Sequence, residues 1–257
     1  MRTIGVAWLG VILAFLYLPI LVMILMAFNR SPLYELPFTF DLVWFKALLA
    51  NDKLLNAGWN SLWIALTTSV IASLLGTMAA LAFARFTFRG KRLLQLMLLP
   101  PITIPWLIIG TAMLVFFFWT GVGRGVHAIL MGHVALALPY VIVVVGARLS
   151  SYGPELEEAA ATLGATPLQT FLRITLPVIA PGVIAAALFA FAVSFDQFVI
   201  SYFLAAPGTS TLPVEIYTAI RKGFTPEINA ISSIIIIVSM GIMLLVARKY
   251  SFGGEQA

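Results

Sequence analysis

Six apolar stretches run along the chain, separated by polar or glycine- and proline-rich intervals. They are Ile4 to Phe28, Trp59 to Ala84, Leu93 to Trp119, Val126 to Ala147, Val178 to Ala205 and Asn229 to Ala247. About 20 apolar residues cross the hydrocarbon of a bilayer as a helix. The pattern predicts an all-α integral membrane protein with six transmembrane helices in a single domain, residues 1–257. The first stretch is too long for the core of a cleaved signal peptide, and no A-x-A-like site closes it, so it is expected to be an anchor. Between the first two spans, Asn29 to Gly58 carries Pro32 and Pro37 and is expected to be a loop with a short interfacial helix. Pro213 to Arg221 predicts a short amphipathic helix bearing Glu215, Tyr217 and Ile220, and Thr225-Pro226-Glu227 a cap for the sixth span.

The spans carry their own punctuation. Ala72, Gly76, Ala80 and Ala84 repeat every fourth residue in the second span, a small-residue stripe that lets helix backbones approach. Ser69, Ser73 and Thr77 form a parallel stripe, expected to pack and able to hydrogen-bond across helices. Pro100, Pro101 and Pro105 interrupt the first half of the third span. Each removes a backbone donor, which a membrane tolerates only where neighbours or water satisfy the freed carbonyls. The fourth span holds Pro139-Tyr140 near its middle. The fifth contains Asp196, the one acidic residue inside any span. A charge there costs about 2.5–3.5 kcal/mol on insertion scales and faces a pore or a partner. In an unbroken helix Ala185, Phe189 and Phe203 would share its side, and a carboxylate beside aromatic faces suits a cation stripped of water. The bland alternative is a bond from Asp196 to a neighbouring helix.

Between the fourth and fifth spans lies a polar island, about residues 150–177. Pro154 suits a helix start. Glu155, Glu157 and Glu158 then fall where the helix dipole favours negative charge. Gly164 is expected to stop this helix. Thr166 with Gln169 three residues on makes a capping box, with Pro167 in the first turn, predicting a second short helix that ends at Leu176-Pro177. A mere linker would not need two consecutive capped helices.

Composition agrees with the spans. The chain is 61% hydrophobic and 10% charged, with a mean hydropathy of +1.05. Its net charge of +5 sits at the ends of apolar runs, which suits lipid headgroups and not nucleic acid. With a cytoplasmic N-terminus, nine Lys and Arg residues lie inside and six outside. Arg85, Arg89, Lys91 and Arg92 crowd one short inner loop, so both termini and the polar island are expected to be cytoplasmic. No cysteine is present. His127 and His133 would point roughly 120° apart on one helix, so they are expected to be structural or cavity-lining, not metal ligands. There is no G-x-x-x-x-G-K-[ST] phosphate loop, so the chain is not expected to bind ATP in that way. An ion-coupled secondary transporter would show more spans or an internal repeat. An intramembrane enzyme would need a nucleophile–base pair or an H-E-x-x-H site.

Glu158-Ala159-Ala160, then Gly164 four residues on, then Ile174-Thr175-Leu176-Pro177, matches the cytoplasmic loop of membrane subunits of ATP-binding-cassette importers in every spacing. The chain resembles that family throughout. Ser194 to Ser232, with Phe195-Asp196-Gln197-Phe198 and Thr225-Pro226-Glu227-Ile228-Asn229-Ala230, is similar to the spermidine/putrescine permeases, though Gln197 stands where close members often carry a second aspartate. The resemblance implies a type I, MetI-like importer fold with a coupling helix between spans four and five, in a bacterial inner membrane. It implies a second, homologous permease, two cytoplasmic ATPases that bind the ATP and magnesium, and an external substrate-binding protein. Glu157, Glu158, Ala159, Ala160, Gly164, Leu176 and Pro177 would couple to the ATPase. Asp196, Phe189, Tyr140, Gln197, Glu215 and Tyr217 would line the substrate path. Another small organic solute, such as an aminophosphonate, an opine or a thiamine-like cation, is the alternative cargo.

Overall fold

The computed structural model describes residues 2–32, 35–223 and 226–251. Among these, regular structure is helical apart from one isolated bridge between Asn29 and Phe40. The helices are α1 (Arg2–Ala27), α2 (Val43–Leu49), α3 (Asp52–Arg85), α4 (Lys91–Leu96), α5 (Pro100–Thr103), α6 (Trp106–Trp119) and α7 (Val126–Ser150). After them come α8 (Glu155–Thr162), α9 (Pro167–Thr170), a π-helical turn over Phe171–Thr175, α10 (Leu176–Phe195), α11 (Phe198–Leu204), α12 (Leu212–Lys222) and α13 (Glu227–Ser251). Four helical stretches among the described residues are long and apolar enough to cross a membrane, or five if one bent pair counts as a single span. The chain divides into two compact units: residues 1–55 with 216–257, and residues 56–215.

Two expected spans are interrupted. Residues 93–119 do not form one helix: the segments Lys91–Thr103 and Trp106–Trp119 meet at 110°. Pro105 is the cause, since its ring forces the preceding residue out of the helical region, and Ile104 accordingly has φ −77° and ψ 135°. The stretch 178–205 is likewise not continuous. It stops at Phe195 and resumes at Phe198, with Gln197 in an extended conformation at ψ 97° and its side-chain oxygen accepting from the Val199 amide at 3.1 Å. At its other end this helix begins earlier than expected. Leu176-Pro177 does not end the second short helix, because α9, the π-helical turn and α10 run on as one 29-residue helix, Pro167–Phe195. Pro177 cannot donate to the carbonyl one turn back and crowds it, and the wider π-helical turn just ahead of it absorbs that mismatch. The second span starts two turns early, at Asp52, where the Asn51 side chain accepts from the Leu54 amide at 3.2 Å and caps α3. Thr225 of the expected cap lies outside the described residues.

In the first unit α1 and α2 each pack on α13. The segment after α1 is organised by Asn29, fully buried, whose carboxamide accepts from the Thr39 amide and donates to the Glu35 carbonyl, each at 3.0 Å. In the second unit, α3, α7 and α10 share a core that includes Ala72, Ala80, Val141, Val145, Ile179 and Ala186. The small-residue stripe is what admits α7: a Cβ on Gly76 would lie 2.5 Å from Val141 Cγ1. Ala84, the stripe's last member, is exposed. In the parallel polar stripe only Ser69 bonds across helices, donating to the Ala187 carbonyl of α10 at 2.7 Å. Ser73 and Thr77 bury hydroxyls that have no protein partner among the described residues. His127 bonds to the glycine-rich turn before α7, its Nε2 donating to the Val122 carbonyl at 2.9 Å.

Candidate functional site

The polar island folds as α8, closed at its C-terminus, followed by α9, the capped first turn of the helix Pro167–Phe195. Glu155, Glu157 and Glu158 occupy the first turn of α8, where the dipole favours carboxylates. Gly164 ends it with φ +86°, a left-handed conformation that side chains with a Cβ rarely adopt. The Gly164 amide donates to the Ala161 carbonyl at 2.9 Å and the Ala165 amide to the Ala160 carbonyl at 3.0 Å. Those two bonds make a Schellman closure. Both halves of the capping box form: the Gln169 amide donates to Thr166 Oγ1 at 3.3 Å, and the Thr166 amide to Gln169 Oε1 at 2.9 Å.

Adjacent glutamates on α8 point apart because each residue advances the helix by about 100°. Glu157 turns inward. Its Oε1 accepts from Thr175 Oγ1 at 2.8 Å, Tyr152 Oη at 2.9 Å and Arg85 Nη2 at 3.2 Å. Arg85 Nε stands 3.0 Å from Oε2, out of line for a hydrogen bond but close enough for ion pairing. The Arg85 guanidinium also lies over the Tyr152 ring, 5.1 Å from its centroid. One carboxylate thus joins α8 to the last residue of α3, to the segment after α7 and to the π-helical turn before α10. Burial works against its charge, but the bonds from Thr175, Tyr152 and Arg85, with the charge of Arg85, outweigh that and hold the carboxyl below its usual range. Burial and the hydrogen bond to Glu157 push the Tyr152 phenol up, so it stays a donor.

Glu158 and Ala159 are exposed, while Ala160 is buried. The outer surface of the loop is apolar as well as acidic, with Leu156 52%, Leu163 89% and Leu168 66% exposed. Leu176 and Pro177 sit in the first turn of α10, Pro177 exposed. Arg85, Tyr152 and Thr175 were not among the expected site residues. Arg85 registers in the sequence only as one more inner-side charge, and nothing in the spacing pairs it with a residue 72 positions on.

The expected substrate-path residues are only partly assembled. Tyr140 of α7 and Phe189 of α10 meet with ring centroids 5.2 Å apart and planes tilted by 50°. Asp196 is exposed at the break after α10, and its carboxylate has no partner among the described residues. Phe189 lies two helical turns before it on the same face. Phe203 does not share that face, as an unbroken helix would require. It belongs to α11 and packs on α6, 2.9 Å from where a Cβ on Gly110 would sit. Gln197 is buried. Glu215 and Tyr217 lie on α12, with the Arg221 guanidinium 5.8 Å from the Tyr217 ring centroid.

Residues 72–250 match the family described as "Binding-protein-dependent transport system inner membrane component". The chain is 38% identical over 230 residues to the putrescine transport system permease protein PotI of Escherichia coli K12, covering 86% of this chain and 82% of that one. It is 34% identical over 245 residues to the spermidine/putrescine transport system permease protein PotC of the same organism, covering 94% and 93%. Its fold is that of a chain in a bacterial ABC transporter involved in alginate import, with a TM-score of 0.74, 16% identity, and 97% and 95% of the two chains covered. A match across more than half of its length, together with these relatives, makes the chain a member of the inner membrane components of binding-protein-dependent transport systems.

Proposed function

We propose that this chain is a permease subunit of an ATP-driven polyamine importer, working with a second, homologous permease, two cytoplasmic ATPases that bind ATP and magnesium, and an external binding protein. Both termini and the α8–α9 loop face the cytoplasm in this reading. The observation that carries it is the division of the loop into a pinned inner face and an unpaired outer one. Leu156, Leu163, Leu168 and Glu158 offer an apolar, acidic rim on helices that are rigidly capped, as a surface for a soluble partner must be. Closure of the ATPase pair would push on that rim, and the Glu157 bonds would pass the movement to α3 and α10. Putrescine or spermidine as cargo is supported by the similarity to PotI and PotC and by Asp196, an unpaired carboxylate at a break in an apolar helix.

The test is reconstitution of the complex in liposomes. Putrescine uptake should require ATP and the binding protein. Leu163→Asp should detach the ATPase on co-purification, and Asp196→Asn should slow uptake while the complex stays assembled. Uptake by the permease without any ATPase would end this reading.

A further inference from the structure

The break at Asp196–Gln197 leaves two pieces of helix that must be held in fixed relation if Asp196 is to stand in one place. Ser194, near the end of α10, and Ser201, in α11, flank the break, and both are buried. His133 of α7, 2% exposed, reaches both: its Nδ1 is 2.8 Å from Ser194 Oγ and its Nε2 is 3.0 Å from Ser201 Oγ. The neighbouring residue makes the reach possible. A Cβ on Gly132 would lie 2.7 Å from Ile200 Cγ2, so only glycine lets α11 come this near α7. A neutral imidazole has one donor and one acceptor nitrogen. With the ring neutral, one serine hydroxyl donates to it and the other accepts from it, and both rotate to suit.

We propose that His133 is a positioning residue: a hydrogen-bonded staple across the broken helix that fixes the two pieces relative to each other and so holds Asp196 in the substrate path. This rests on the importer reading for what Asp196 does, but the staple itself does not. A merely space-filling or polar-satisfying histidine would be replaceable by an apolar set, because removing it together with both serines leaves no buried polar group unpaired. A staple would not.

The experiment uses the whole complex in liposomes, with three forms of this chain: His133→Phe, His133→Gln, and His133→Phe combined with Ser194→Ala and Ser201→Ala. Gln offers one donor group and one acceptor, so it can still bridge both hydroxyls. Hydrogen exchange of the amides from Asp196 to Val199 should speed up about tenfold in His133→Phe and in the triple variant, and stay near parental in His133→Gln. The half-saturating concentration of putrescine, delivered by the binding protein, should rise about tenfold in the same two, the scale of one side chain that must be ordered on binding. The triple variant should recover thermal stability without recovering either readout. Parental exchange in His133→Phe, or full recovery of exchange and half-saturation in the triple variant, overturns the staple. Failure of the unmodified complex to take up putrescine overturns the substrate reading instead, and the exchange rates then decide the staple alone.

Discussion

Removing the charge of Glu157 tests whether the pinned face of the proposed coupling loop transmits movement. Glu157→Gln keeps the shape and leaves an amide oxygen for Tyr152 and Thr175, so the loss concentrates on Arg85. The side chains of the pair are about a fifth exposed, 22% for Arg85 and 20% for Glu157. Exposed ion pairs contribute about 0–1 kcal/mol, and breaking buried ones costs about 3–5 kcal/mol. An intermediate burial gives about 2 kcal/mol for Glu157→Gln, equivalent to roughly 5 °C in melting temperature for a chain of this size. Glu157→Ala strands three donors and should cost about 3 kcal/mol. The mechanistic readout is the ratio of solute imported to ATP hydrolysed by the reconstituted complex. A loss of assembly lowers both together, whereas a slack joint lowers import and spares hydrolysis. Glu157→Gln should reduce the ratio severalfold with the ATPase still bound. Glu157→Arg alone should be worse, and combining it with Arg85→Glu should restore part of the ratio. Transmission through this face is refuted if Glu157→Gln keeps the parental ratio and melting temperature, or if the reversed pair is no better than its worse single member.

Three further outcomes follow from the same geometry. Gly164→Ala meets no atom within 4 Å, so its cost is backbone strain alone, about 1–2 kcal/mol for a left-handed residue; melting of the complex and retention of the ATPase measure it. Gly76→Leu forces a side chain into Val141 and should abolish a monodisperse, detergent-extracted protein, read by size-exclusion chromatography. The Glu157 joint should also be acid-labile. Its folded-state pKa is depressed below the ordinary 4.5, so its stabilisation is whole above that pH and is lost as the pH falls through the lower, folded value. Melting curves of the parent should therefore show an acid-side decline that Glu157→Gln lacks.

The spans and the island were legible because each depends on local chemistry. Apolar length marks a crossing, an acidic first turn and a capping box mark helix starts, and Gly164 marks a stop. The interruptions were less so. Averaged hydropathy runs straight across a two-residue break at Asp196–Gln197, since both flanks stay apolar, and it placed Phe203 on a face that the break removes. Proline at 105 warned of a bend, but the 110° turn also depends on Ile104 going extended, which only the dihedral shows. Least legible was the difference between Glu157 and Glu158. Both sit in the first turn of one helix with the same charge, and periodicity says only that they diverge by about 100°. Which one turns inward is decided by Arg85, Tyr152 and Thr175, supplied by three separate parts of the chain. That assignment has a mechanical consequence. In the proposed role the loop receives a push and delivers it, which needs one face free and the other tied, and two neighbouring carboxylates would meet both needs within a single helical turn. The free glutamate belongs to the spaced pattern by which the sequence resembles importer permeases, so reading by that pattern alone would overlook the residue that ties the loop to α3.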